Sequence, residues 1–398
     1  MILPRPSLMY YAFLLIKLSL GTFLNGPVEG ITMYAVLFGK NPALSEAEFY
    51  SFSRRFGLNV RPIESSRYWL LFTSSPKVGR YFHWLGGALK LVRIVGEGEE
   101  ALKDLEYSRL FTVSLYGRSD WRLWRKLGSE IKGVFKSEGP AKFFKPAKVY
   151  AMPSELILKG FPEVKDFVFL FREDGSFLVG ETVKVTDPFE LKKLDVERPV
   201  QKPILSIPPR LARIMVNLTE IRKGSFLDPF CGIGTVVQEF VLQGLNAYGS
   251  DRDPEQIKAA KKNLAWLKRE FHLKNSAHLE VCDARKLKRC FRQRFDAIVT
   301  EPYLGKSLRR NPSRGEAIKL ANELDRFYYS VFESFADVLR RKGKVVFVFP
   351  AYRLSGGGIY RKERKWLGKL GFEVLGRYTD YEERHKLVRD IHVLRYRG

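Results

Sequence analysis

The stretch FLDPFCGIGT, residues 226–235, decides how the chain is read. It follows a short apolar run of strand character and opens the helical pattern GTVVQEFVLQG. Gly232 and Gly234 let the backbone turn tightly and approach a ligand that a side chain would block. A glycine-rich turn after a strand is a weak signal by itself, and dinucleotide binding competes for it. Three features weigh against that competitor. The loop begins Asp-Pro-Phe-Cys and lacks the GxGxxG pattern. Acidic residues end the next two strands, Asp251 in GSDRD and Asp283 in VCDAR. The region upstream is basic, as a nucleic-acid-binding domain would be.

Outward from this loop, strand and helix alternate to the end of the chain. SFLDPF, LNAYGSD, AHLEVCD, FDAIVT and GKVVFVFP read as strands, with GFEVLGRY and DIHVLRY as a closing antiparallel pair. DPEQIKAAKKNLAWLKREF and EAIKLANELDRFYYSVFESFADVLRR read as helices between them. The expected class is α/β, with a doubly wound Rossmann-like domain over residues 210–398. Residues 186–209 hold five prolines and little periodicity, and read as a linker. Two α+β units precede it, over 33–108 and 109–185. In the first, a helix is expected with Ser45 as N-cap, Glu48 three residues on and Gly57 at its end. Residues 1–32 look foreign to the rest, and Met33 is the start we expect, with the upstream piece an artefact of start-codon choice.

The chain has 398 residues, enough for two or three cores, and a formal net charge of +25. That surplus points to a polyanionic partner, because Lys and Arg release counterions condensed on phosphates. The apolar run YYAFLLIKLSLGTFL is interrupted by Lys17 and short for a membrane span, so no membrane role is expected. Cys231, Cys282 and Cys290 form neither a CxxC pair nor an even framework, which argues against a disulfide scaffold or a zinc site and for a reducing, cytoplasmic setting. His385 and His392 lack metal-binding companions nearby, so no metal is expected.

Asp228, Asp251 and Asp283 stand at strand ends around a glycine loop, and this resembles the class I S-adenosylmethionine (SAM) methyltransferases. The resemblance implies that Asp251 holds the ribose hydroxyls and Asp283 the adenine amine. It implies that Asp228 and the loop residues Phe230, Cys231, Gly232, Gly234 and Thr235 face the methionine end. DPFCGIGT, a later Pro-Tyr after the fourth strand, the linker ERPVQKP and PPRLARIMVNL together resemble the archaeal tRNA guanine N2-methyltransferases that modify the position-ten guanosine. That family carries a ferredoxin-like domain and a THUMP domain ahead of the catalytic one, which the two upstream units fit by element order. A tRNA partner follows from the resemblance. A monomer is the simplest state, and a small activating protein partner stays open.

The family keeps an Asn-or-Asp, X, Pro, aromatic tetrad whose side chain and backbone carbonyl accept hydrogen bonds from the target amine. Here that position reads Thr300, Glu301, Pro302, Tyr303. Pro302 and Tyr303 match. The polarising group is Thr300, or Glu301 if the loop is arranged one residue differently. An inactive SAM- or RNA-binding relative, and an enzyme acting on DNA, rRNA or a protein amide, remain alternatives. For RNA contacts we expect Arg122, Arg125 and Lys126 on the helix SDWRLWRKLGSEIKGVFKS, Lys142 and Lys145 (with Lys148) in AKFFKPAK, and Lys306, Arg309 and Arg310 (with Arg314) beside the tetrad. The Trp121 and Trp124 stripe of that helix reads as core, and Cys231, without a neighbouring His, as packing.

Overall fold

The structure is a computed structural model that describes residues 32–145, 163–201, 207–380 and 386–398, together with Ala151, Pro153 and Leu158. The expectation for residues 1–32 falls outside the described residues except at Thr32, which belongs to the first strand. Lys148 and His385 lie outside the described residues. Among the described residues no helix is long and apolar enough to cross a membrane. The chain divides into two units, one of residues 1–42, 57–83 and 88–188, the other of 43–56, 84–87 and 189–398.

The first unit is built on a sheet of eight strands: β1 (Thr32–Phe38), β2 (Arg61–Ser65), β3 (Trp69–Ser74), β4 (Ala88–Glu97), β5 (Leu110–Tyr116), β6 (Lys142–Phe143), β7 (Lys165–Phe171) and β8 (Phe177–Val185). Their order is β2-β3-β1-β4-β8-β7-β5-β6, so one sheet carries strands from both upstream segments. One face packs Phe111, Val113, Phe167 and Phe169 under the helix Trp121–Val134. Asp120 caps that helix by accepting from the backbone N–H groups of Arg122 and Leu123. Trp124 is fully buried and donates its indole N–H to the Val113 carbonyl at 2.7 Å, a core placement like the one expected. Lys90 and Asp166 pair at 2.5 Å within this sheet, both buried, with Thr182 also donating to the carboxylate.

In the second unit the strands are β9 (Ser225–Asp228), β10 (Asn246–Asp251), β11 (Ala277–Val281), β12 (Phe295–Thr300), β13 (Leu339–Arg353), β14 (Ile359–Tyr360), β15 (Phe372–Asp380) and β16 (Leu387–Tyr396). Their order is β11-β10-β9-β12-β13-β16-β15, with β14 beside β13. The first five run parallel, and β16 inserts antiparallel between β13 and β15. This is the doubly wound sheet expected, with the closing antiparallel pair. Phe347, Phe349, Phe332 and Tyr328 fill one face and Val237, Phe240, Val299 and Ile391 the other.

Three local expectations are corrected. The helix α1 runs Pro42–Phe56, so Ser45 lies inside it, buried, and is not its cap. A proline at the first helical position is already set for the helix, which moves the start upstream; Gly57, at φ 61°, does end it. Glu48 is not a capping-box partner: its carboxylate accepts from the backbone N–H of Gly86 (2.8 Å) and Gly87 (2.6 Å) and from the Asn217 amide (2.8 Å). The proline-rich stretch forms the helix Pro188–Val196, because its apolar positions Leu191 and Leu194 are buried. Cys282 and Cys290 are joined by a disulfide, against the expectation drawn from the cysteine spacing, because the turn after β11 brings their Cα atoms to 6.3 Å.

Candidate active site

At a parallel sheet's carboxyl edge, a site forms where neighbouring strands send their chains in opposite directions. Here that point lies between β9 and β12. Asp228 ends β9 and Thr300 ends β12, and the Thr300 hydroxyl donates to Asp228 Oδ1 at 2.6 Å. Asp228 Oδ1 also accepts from the Phe230 backbone N–H at 3.1 Å. Both side chains are buried. Burial raises the Asp228 carboxyl to about 7 against the opposing effect of these hydrogen bonds, and the charges of Asp251 and Glu301 push it the same way as burial.

The glycine loop turns as its sequence requires. Gly232 has φ 49° and Gly234 φ 93°, backbone values that L side chains rarely adopt. A Cβ on Gly234 would stand 3.2 Å from that of Ala260, whereas one on Gly232 would meet nothing within 4 Å. The loop is therefore packed on its inner side and open on its outer side. Asp251, at the end of β10, accepts from the Gly232 N–H at 3.0 Å and from the Asp253 N–H at 3.0 Å. Asp283 follows β11 and is held by Arg285 through Nε (3.0 Å) and Nη2 (2.5 Å). Those hydrogen bonds hold its carboxyl down at about 2. Cys231 is buried with its thiol pushed up by burial, the state of a packing residue.

Two residues that spacing did not single out brace this loop. Arg198, from the ERPVQKP stretch, donates to the Thr235 hydroxyl at 2.7 Å. Asn263, fully buried on the helix Pro254–Glu270, donates to the carbonyls of Ile233 and Val200, each at 3.0 Å. The prolines around Arg198 drew attention to a linker, and that signal hid its neighbour's contact.

After β12 the tetrad leaves the sheet. Thr300 points into the protein and Glu301 is the first residue beyond the strand. Arg389 of β16 grips the Glu301 carboxylate, Nε to Oε1 at 2.6 Å and Nη2 to Oε2 at 3.5 Å. Pro302 is buried, and Tyr303 stands 56% exposed while its carbonyl is fixed by the Tyr328 hydroxyl at 2.8 Å. An exposed aromatic on an anchored backbone offers a face for stacking. Beyond it Lys306, Arg309, Arg310 and Arg314 are all exposed, and Arg310 pairs with Glu316 at 2.6 Å.

In the first unit Arg122, Arg125, Lys126, Lys142 and Lys145 are likewise exposed. Arg125 lies over the Trp121 ring and Lys145 over that of Phe143. Lys126 has Glu130 and Glu99 within 3.5 Å, exposed pairs of small energy that a phosphate could replace.

Residues 198–357 match the family of RMKL-like methyltransferase domains. They form a methyltransferase domain. The methyltransferase chain is 27% identical, over 87% of its length and 94% of the relative's, to a protein named tRNA (guanine(10)-N2)-dimethyltransferase from Pyrococcus abyssi. A second protein of that name, from Methanothermobacter thermautotrophicus, is 31% identical over 39% of this chain and 43% of its own. Among solved structures, TrmN from Thermus thermophilus shares the fold with a TM-score of 0.55 at 16% identity, covering 92% of this chain and 99% of that one.

Proposed function

We propose that this methyltransferase places a methyl group on the exocyclic N2 amine of a guanosine in tRNA. The observation that carries the reading is the 2.6 Å hydrogen bond from Thr300 to Asp228, which sets the tetrad against the glycine loop. The Pyrococcus relative, aligned along most of both chains, supports the same substrate. On this reading the unit of residues 43–56, 84–87 and 189–398 is catalytic, and the eight-stranded unit supplies the ferredoxin-like and THUMP-like elements that bring the tRNA. The enzyme acts as a cytoplasmic monomer.

The residues present fit the cofactor. Asp251 keeps acceptor sites for two ribose hydroxyls beyond the two N–H groups it already serves. The open side of Gly232 leaves room for the methionine end beside Asp228, Phe230, Cys231, Gly234 and Thr235, and Asp283 would accept from the adenine amine. The bound cofactor supplies an electrophilic methyl. The guanine N2 lone pair is delocalised into the ring, so the protein must orient it. Glu301 accepts one amine N–H, which raises electron density on nitrogen, and Tyr303 stacks on the base. Transfer would break the methyl's bond to the sulfonium sulfur, leaving a neutral thioether, and the Glu301 carboxylate would take the proton that the methylated nitrogen sheds. Thr300 is fully buried with its hydroxyl turned to Asp228, which leaves the polarising role to Glu301.

The test is transfer of labelled methyl to tRNA transcripts carrying guanosine or adenosine at position ten, followed by nucleoside digestion. We expect label in N2-methylated guanosine from the first transcript alone. Glu301→Gln should lower turnover by about 10²-fold or more with cofactor binding retained. Bound cofactor with no label on any tRNA would instead support a relative that binds without catalysis.

A further inference from the structure

The geometry points to Arg389 as the positioning residue of the active site, acting through Glu301 and itself held by Asp380. It rests on the reading of Glu301 given above.

A glutamate reaches one methylene further than the aspartate of the family tetrad, and each added torsion multiplies the places its carboxylate can occupy. A polarising group must stand within a few tenths of an ångström of its target, so a free glutamate would be a poor replacement. This chain supplies a restraint. Arg389 binds Glu301 Oε1 through Nε at 2.6 Å, and its Nη2 lies at the long distance of 3.5 Å from Oε2. The fork is thus closed tightly on one oxygen only. The other keeps acceptor capacity for an amine N–H, so the arginine aims the carboxylate without occupying it.

The restraint is itself rigid. Arg389 sits between two strands, opposite Pro350 of β13 and Asp380 of β15. Asp380 Oδ2 stands 3.7 Å from its Nη1, on the side away from Glu301. The next residue, Asp390, is fully buried and bound by Arg377 at 2.8 and 2.6 Å and by His392 at 3.1 Å, which pins the strand from its opposite face. Glu301, Arg389 and Asp380 have side chains 13%, 21% and 22% exposed, shielded enough for the pair to keep its geometry. The inserted antiparallel strand β16 therefore serves the chemistry directly, because it carries a guanidinium to the carboxyl edge of the parallel strands.

The test is steady-state methyl transfer to tRNA by the full chain carrying Arg389→Ala, Arg389→Lys, Glu301→Gln or Arg389→Ala with Glu301→Gln. SAM binding and chemical denaturation are measured on each. We expect Arg389→Ala to lower kcat by about 10²-fold with the KM for tRNA changed less than about threefold, the split that a misplaced group gives. Guanidinium ion added to that variant should restore part of the rate, and Arg389→Lys should fall between it and the parent. The double variant should be no slower than Glu301→Gln alone, because both changes remove one function. A raised KM with unchanged kcat would make Arg389 a phosphate contact and overturn the inference, as would additive losses in the double variant. Full activity in Glu301→Gln would sink the reading of Glu301 itself. A dead Glu301→Gln beside a normal Arg389→Ala would sink only the present inference.

Discussion

Replacing Asp228 by asparagine should stabilise the protein, and by an amount that depends on pH. The amide is isosteric, and its carbonyl oxygen can still accept from the Thr300 hydroxyl and the Phe230 N–H. What it removes is a buried acid raised from 3.8 to about 7. In the unfolded chain that carboxyl ionises near pH 4, while the folded chain keeps the proton until near pH 7. Stability from this group is therefore full below pH 4, lost as pH rises between the two values, and gone above pH 7. Some three pH units at about 1.4 kcal/mol each set a ceiling of about 4 kcal/mol, of which about 2–3 kcal/mol falls between pH 5 and pH 8. Urea denaturation of both proteins at pH 5 and pH 8 measures it. The advantage of Asp228→Asn should be small at the lower pH and larger by that amount at the higher. A difference independent of pH would mean that Asp228 is not held protonated by burial. The same variant should bind SAM less well at pH 8, so the parent keeps an unfavourable charge for function.

Other perturbations follow from the packing. Gly234→Ala combines φ 93° with a Cβ 3.2 Å from that of Ala260, and should cost about 1–3 kcal/mol and weaken SAM binding, read by calorimetry. Glu48→Ala leaves the N–H groups of Gly86 and Gly87 and the Asn217 amide without their shared acceptor, and should cost about 2–4 kcal/mol in denaturant. Reducing the Cys282–Cys290 disulfide, eight residues apart in sequence, should lower stability by about 2–3 kcal/mol by releasing the loop that bears Asp283. Mass spectrometry of the alkylated protein checks that the bond is present.

What could be read from sequence was local. Gly232 and Gly234 announce a turn because few other residues adopt it, and Asp251 and Asp283 fall at strand ends that alternation places by itself. Arg389 could not be found this way: it lies 88 residues from Glu301, and only the register of β16 against β13 and β15 brings the two together. Thr300 and Glu301 looked equivalent because spacing does not say which residue is last in a strand. The strand's end at Thr300 separates one hydroxyl turned inward from one carboxylate beyond the sheet. Ser45 misled for a related reason: a capping signature was legible, but Pro42 supplied an earlier start and Glu48 was taken up by distant backbone.

Helix α1 and residues 84–87 belong to the unit that holds the methyltransferase domain, although they are encoded before most of the strands of the other unit. Arg55 donates to the Asn217 side chain at 2.7 Å and to the Ile221 carbonyl at 2.9 Å, so the early helix is a working part of that unit's core. The catalytic half is thus no self-contained cassette. A gene fragment beginning at the proline-rich stretch would encode a body with a missing wall. During synthesis, the first helix must also wait for more than a hundred residues before its partners leave the ribosome, so the unit closes late and over long sequence separations. Exchange of catalytic modules between such enzymes would need three segments moved together, and one crossover in the linker would not suffice.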